Sequence, residues 1–352
     1  MTSVIIAKSK LNDFLASLKS GYQVLGPVRQ GDMIAFGPVN KAEDLALPYS
    51  NTRLSIKSVF FPQSERMFGY SLDKEDADAG IIKETPKEYP NRVVLGLRPC
   101  DAKAVTLVDV NMDNPQFQDP WWVKRRETTT LIGLGCEHPC STCFCTSMGS
   151  GPFDETGLDV LLTELPDAYL AKSLTPKGDQ LLKQAKGTDA ASPANEKTAA
   201  EIKTKAEQTL PQLDTAKLKD KNMMELFNAR FWERVQFACI NCGACTFLCP
   251  TCWCFDIQDE VSKKAGDRIR NWDSCMFPLF TLHGTGHNPR DHKVQRVRQR
   301  FMHKLKYYID KYGDGPACVG CGRCVQACPV NIDIRNVITL MNEYQTSAGT
   351  KA

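Results

Sequence analysis

Cys239-x2-Cys242-x2-Cys245-x3-Cys249-Pro250 and Cys318-x2-Cys321-x2-Cys324-x3-Cys328-Pro329 repeat one spacing, and no other feature constrains this chain as tightly. Three thiols at i, i+3 and i+6 wrap one loop around a cube and turn backbone amides toward its sulfurs. The fourth points away, and the following proline keeps the loop from closing on itself. This is the two-cluster ferredoxin spacing, in which the fourth cysteine of each run ligates the cluster of the other. The expected ligand sets are Cys239, Cys242, Cys245 and Cys328 for one [4Fe–4S] cluster, and Cys318, Cys321, Cys324 and Cys249 for a second. Zinc sites usually pair two short Cys-x2-Cys hooks or mix in histidine. Two complete four-cysteine runs ending in Cys-Pro therefore favour iron–sulfur over zinc.

The chain has 16 cysteines in 352 residues, so eight lie outside these runs. Cys100 follows a predicted strand at Arg92–Leu97, and Cys136, Cys140, Cys143 and Cys145 follow another at 128–134. Loops at adjacent strand ends can converge, which makes Cys100, Cys136, Cys143 and Cys145 candidate ligands of a third cluster. The competing reading is a set of buried free thiols packing as small hydrophobes. Five cysteines within 46 residues, four of them within ten, count against it. Cys252, Cys254 and Cys275 could cap or tune neighbouring clusters, join a further site, or simply pack. His283 and His287 have i, i+4 spacing, but Gly284 and Gly286 argue against a helical ligand pair.

The hydrophobic fraction of 42% and charged fraction of 24% are those of a globular protein. The formal net charge of +3 leaves thiols neutral; three cubanes at roughly −2 each would bring it to about −3. Apparent basicity is thus no argument for nucleic acid. The first residues lack the long apolar region of a signal peptide, and no stretch reaches the length of a membrane span. With thiols reduced or metal-bound, a cytoplasmic location is expected.

The first part reads as mixed α/β. Strands are expected at Ser3–Ala7, 22–28 and 33–36, and a helix at 10–18 behind a Ser9 N-cap. The strand at Arg92–Leu97, a helix through 102–110 and the strand at 128–134 suggest a βαβ unit with functional loops at the strand ends. Residues 185–222 shift to Ala, Lys, Thr and Glu and read as a linker or solvated helix. They separate an α/β domain over 1–184 from a cysteine-rich domain over 223–352. Residues 291–312 read as a helix carrying Arg296, Arg298, Arg300, Lys304 and Lys306. That fits a basic face beside anionic clusters, a docking surface for an acidic partner, or an ordinary charged helix. Gly-x-Gly-x-x-Gly, P-loop and Gly-x-Ser-x-Gly motifs are missing, so nothing visible accepts a hydride.

Leu97-Arg98-Pro99-Cys100-Asp101, Cys136 with Cys143-Phe144-Cys145-Thr146-Ser147-Met148-Gly149, Cys239 through Cys254, Trp272-Asp273-Ser274-Cys275-Met276, Gly286-His287 and the final run resemble a known family. It comprises the beta subunits of sulfhydrogenase-type soluble nickel–iron hydrogenases and the corresponding iron–sulfur subunits of anaerobic sulfite reductases. Cys140 and the Ala/Lys-rich segment do not match its pattern. The resemblance implies an α+β protein: an N-terminal α/β domain, then a mainly helical two-cluster ferredoxin-type domain. It further implies an electron-transfer subunit between a flavin subunit handling NAD(P)H and a catalytic partner. That partner would be of hydrogenase, sulfite reductase or heterodisulfide-reductase type. The alternative is a directly catalytic subunit whose N-terminal cluster leaves one iron open to a sulfur substrate. In a third reading the N-terminal cysteines bind zinc and shape a docking domain.

Overall fold

A computed structural model describes residues 2–313 and 315–345, so the last seven residues of the expected domain over 223–352 lie outside the described ones. Twelve strands are present among these: β1 (Ser3–Ala7), β2 (Gln23–Gln30), β3 (Met33–Pro38), β4 (Ser64–Ser71), β5 (Lys83–Glu84) and β6 (Arg92–Leu97), then β7 (Thr129–Leu134), β8 (Val160–Glu164), β9 (Ala168–Ser173), β10 (Thr188–Ala190), β11 (Phe255–Ser262) and β12 (Ala265–Trp272). Eight form one sheet in the order β10-β1-β9-β8-β7-β6-β2-β3. Its centre, β2-β6-β7-β8, is parallel, and antiparallel strands flank it on both sides. Every residue of β7 and all but the first of β6 are buried, as expected of parallel strands covered on both faces.

Between β6 and β7 the chain forms the helices Pro99–Met112 and Pro120–Thr128. Each begins with proline, whose fixed φ suits the first helical turn. The second is also capped by Asp119, whose carboxylate accepts from the Trp122 amide. The expected βαβ unit is therefore present, but its helix starts earlier than the apolar pattern suggests. Cys100 consequently sits in the first helical turn rather than in a loop. The expected Ser9 cap is not formed: the helix Leu11–Lys19 follows Lys10 with no side-chain cap.

Residues 185–222 divide between two roles. Thr188–Ala190 pairs with β1 and completes the edge of the large sheet. Ser192 and Asn195 then close a capping box on the helix Pro193–Gln208, of which only Ala206 is buried.

The C-terminal half contributes strands as well as helices. Between the two cysteine runs, β11 and β12 form a hairpin that joins β4 and β5 in a second, antiparallel sheet ordered β11-β12-β4-β5. The two halves of the chain are thus interleaved through main-chain hydrogen bonds. A buried charge network reinforces the joint. Glu65 on β4 binds Arg270 of β12 and Arg125 of the helix Pro120–Thr128, and Arg270 also binds Asp119.

The basic segment is one long helix with a change of winding: α-helical over Lys293–Met302, π-helical over His303–Tyr307, and α-helical again over Tyr308–Tyr312. Its apolar side packs with Trp232, Leu226 and Met341 into a core beside the cysteine runs. The Lys304 carbonyl accepts the Ala317 amide at 2.8 Å, which ties the π segment to the start of the second run.

Candidate metal centres

The two cysteine runs adopt the same backbone. Positive φ occurs at Asn241 and Gly243 in the first (57° and 74°) and at the matching Gly320 and Gly322 in the second (63° and 72°). Left-handed residues at these places fold successive amides toward the inside of the loop, as a cradle for anionic sulfur requires. The Asn241 amide already donates to Cys239 Sγ at 3.4 Å, and the Ile332 amide to Cys328 Sγ at 3.2 Å. Each loop then enters a single helical turn, Ala244–Phe247 or Arg323–Gln326.

Cys239, Cys242, Cys245 and Cys328 line one cavity with Ile240, Met276, Val297, Arg300 and Phe301. The first expected ligand set is thus brought together, including the cysteine donated by the other run. Cys318, Cys321 and Cys324 are drawn around Cys249, which lies close enough to act electrostatically on all three. Cys249 also contacts the Thr251 hydroxyl at 3.3 Å and the Cys252 thiol.

Cys100, Cys136, Cys143 and Cys145 line a further cavity together with Gly320 and Cys321. The second run and the N-terminal cysteine loop therefore touch. The Phe144 amide donates to the Gly320 carbonyl at 2.8 Å. A β-carbon on Gly320 would come within 2.6 Å of the Cys145 nitrogen, so only glycine permits the approach. The joint is pinned by a buried ion pair, in which Arg323 grips Asp101 through two bonds of 2.6 and 2.8 Å. Cys140 does not line this cavity; its thiol contacts Cys143.

Burial pushes the Cys321 thiol up to about 11, and those of Cys318 and Cys145 up to about 12. Left to themselves these groups stay protonated at neutral pH, so a metal must supply the charge that drives the protons off. Among the described residues, no three His, Cys, Asp or Glu side chains converge as closely as a single ion needs.

The fate of the basic helix separates the alternatives left open by the sequence. Arg296, Arg300, Lys304 and Lys306 are all buried, so they form no outer docking face. Arg296 and Lys306 satisfy backbone carbonyls, and Arg298 lies over the Phe227 ring. Arg300 and Lys304 point among the cysteines. Arg300 reaches the Cys245 carbonyl at 3.4 Å, and Lys304 bonds the Thr251 hydroxyl at 2.6 Å and the Ala317 carbonyl at 2.9 Å. Lys57 joins them from the N-terminal half, bonding the Cys252 carbonyl at 3.0 Å beneath the Trp272 ring. Sequence reasoning missed Lys57 because nothing local marks it; its bond to Cys252 spans 195 residues. His283 and His287 are exposed, their rings 5.4 Å apart. Cys254 and Cys275 contact one another beside the hairpin.

Paired loops of matching conformation, each opening onto thiols from both runs, define an iron–sulfur electron-transfer protein of the ferredoxin class. Residues 238–332 accordingly match the family model of the 4Fe-4S dicluster domain. The chain is 31% identical over 339 residues to Sulfhydrogenase 2 subunit beta of Pyrococcus furiosus, covering 94% of this chain and 96% of the relative. It belongs to the family of sulfhydrogenase beta subunits. No solved structure matches it. No helix among the described residues is long and apolar enough to cross a membrane.

Proposed function

We propose that the chain relays single electrons through three [4Fe–4S] sites in a row, as one component of a multisubunit oxidoreductase. The first site is held by Cys239, Cys242, Cys245 and Cys328, the second by Cys318, Cys321, Cys324 and Cys249, and the third by Cys100, Cys136, Cys143 and Cys145. The observation that carries the reading is contiguity: Cys321, a ligand of the second site, lines the cavity of the third. A cofactor placed there would neighbour the second site rather than stand isolated in the N-terminal half. Bound iron and sulfide would supply the one-electron chemistry; the chain contributes thiolates, inward amides and exclusion of water.

The other end of the row opens outward. Cys242 alone of the sixteen cysteines is exposed, with Ile240 in the same loop and Phe237 just before it, 62% and 81% exposed. Apolar side chains beside an exposed ligand suit the docking of a redox partner. We assign the partners as a flavin subunit handling NAD(P)H and a catalytic subunit of hydrogenase, sulfite reductase or heterodisulfide-reductase type.

Iron and acid-labile sulfide per chain, with zinc on the same anaerobic sample, test the proposal. About 12 irons, at four per cubane, support three sites. About 8 irons with one zinc would remove the third site from the relay and make the N-terminal cysteines structural.

A further inference from the structure

Lys304 and Arg300 present a charge problem that the relay itself does not solve. Lys304 is 3% exposed and Arg300 4% exposed, yet among the described residues neither has a carboxylate within ion-pairing distance. Three comparably buried cations do have such partners: Arg323 holds Asp101, Arg270 holds Glu65 and Asp119, and Lys306 holds Asp310. Taking a cation out of water is costly unless carbonyls or an anion compensate it; Arg296, also without a carboxylate, is met by the Arg290 and Asp291 carbonyls. The groups that favour the charge on Lys304 are thiols, Cys249, Cys252 and Cys318, while the neighbouring Arg300 opposes it. Those acting on Arg300 are Cys245, Cys324, Cys252 and Cys249. Lys304 therefore faces the second site alone, whereas Arg300 stands between the first and the second.

We infer that Lys304 is a positioning charge that raises the reduction potential of the second site above that of the first, while Arg300 raises both, so that a chain carrying one electron holds it at the second site. This rests on the ligand sets proposed above. The reasoning is electrostatic. Reduction adds one electron to a cube with four thiolates, taking its charge from roughly −2 to −3 without breaking or forming a bond. A fixed positive charge in a medium that screens poorly stabilises the more negative state. The second site faces two such charges. The first faces Arg300 as its buried charge, with the half-buried Lys293 beside Cys239, and its cavity is otherwise lined largely by apolar groups such as Met276, Val297 and Phe301. Lys57, buried near Cys249, Cys252 and Cys254, adds to the same side.

The π-helical turn supports the assignment. Winding defects in helices concentrate at functional positions, and here the defect contains Lys304 itself. Its carbonyl is held by the Ala317 amide while its ammonium bonds the Ala317 carbonyl, so both ends of the residue are fastened to the entry of the second run.

Redox titration of the full, iron-loaded chain followed by electron paramagnetic resonance tests the inference. Cys242→Ser marks the signal of the first site. Lys304→Met should move the second midpoint negative, by a factor of at least ten in the reduced-to-oxidised ratio, or about 59 mV for one electron. It should leave the first midpoint in place. Arg300→Met should move both midpoints negative, and Arg300→Lys, which keeps the charge, should restore them. Unmoved midpoints in Lys304→Met with full iron content would overturn the inference. If Lys304→Met loses iron, the wild-type midpoints decide: a second midpoint at or below the first overturns the inference. Wild-type protein without two reducible centres would overturn the proposed relay, and this inference with it.

Discussion

Cys249 belongs by sequence to the first run, yet its thiol lies within electrostatic reach of all three leading cysteines of the second as well as of Cys245. It follows Leu248 at the end of the turn Ala244–Phe247, and the chain there leads its thiol toward Cys318, Cys321 and Cys324. Cys249→Ala should therefore disrupt the centre of the later run and spare that of Cys239, Cys242 and Cys245. Spectra of the variant, with iron content falling by about four at four per cubane, would show it. Loss confined to the first centre would contradict the crossed ligation. This pattern was legible in the sequence because spacing alone encodes it. The cations around it were only half legible. Arg300 and Lys304 stood out in a basic helix, but their inward direction depends on how that helix is rolled against the cysteines. Lys57 carried no signal, since a lone lysine in an ordinary segment acquires its role only through contacts remote in sequence.

The N-terminal elements followed from apolar runs bounded by turn residues, and β1, β6 and β7 lie where such runs place them. The hairpin β11–β12 is different. β11 carries Asp256, Gln258, Asp259 and Glu260, β12 carries Asp267, Arg268 and Arg270, and every residue of β11 is exposed. Its two-residue turn is Lys263-Lys264, with Lys263 at φ 56°, where Gly or Asn would have signalled a hairpin. Tertiary pairing with β4 overrides both weaknesses, and the charge network through Glu65 anchors it. Burial raises the Glu65 carboxyl, but Arg125 and Arg270 outweigh that and hold it below its ordinary value of 4.5. A carboxylate shifted downward stabilises the fold above its unfolded pKa, and that contribution disappears as pH falls through the folded pKa. Glu65→Gln should therefore lower stability at pH 7, by about 3 kcal/mol for a broken buried pair. The difference from wild type should shrink steadily below about pH 4.5. Urea denaturation across pH checks this by comparing midpoints; a difference independent of pH would show that the carboxylate charge is not what anchors the hairpin.

Across the whole molecule, the cysteines of the N-terminal half and the second run meet at Gly320 and Cys321, where the Arg323–Asp101 pair and the Phe144–Gly320 bond lock two remote segments together. The sequence made the N-terminal cysteines suspicious by density, but only the topology could bring them to the second run, because strand order determines which loop ends meet. Removal of one thiol there separates the relay reading from a merely structural site. Cys136 supplies a thiol to the third cavity, takes no part in lining the first, and is held in place by its own amide bonding to the Pro152 carbonyl at 2.9 Å. Cys136→Ala should therefore lose about four irons while the two centres of the ferredoxin runs keep their spectra and remain reducible by dithionite. In the fully reduced wild type, magnetic coupling between neighbouring centres should broaden the second signal, and the variant should lose that broadening while the first signal stays unchanged. An intact iron count in Cys136→Ala would exclude it as a ligand. A lost zinc with unaltered spectra would place the N-terminal cysteines outside the electron path, leaving a relay of two sites that opens outward at Cys242.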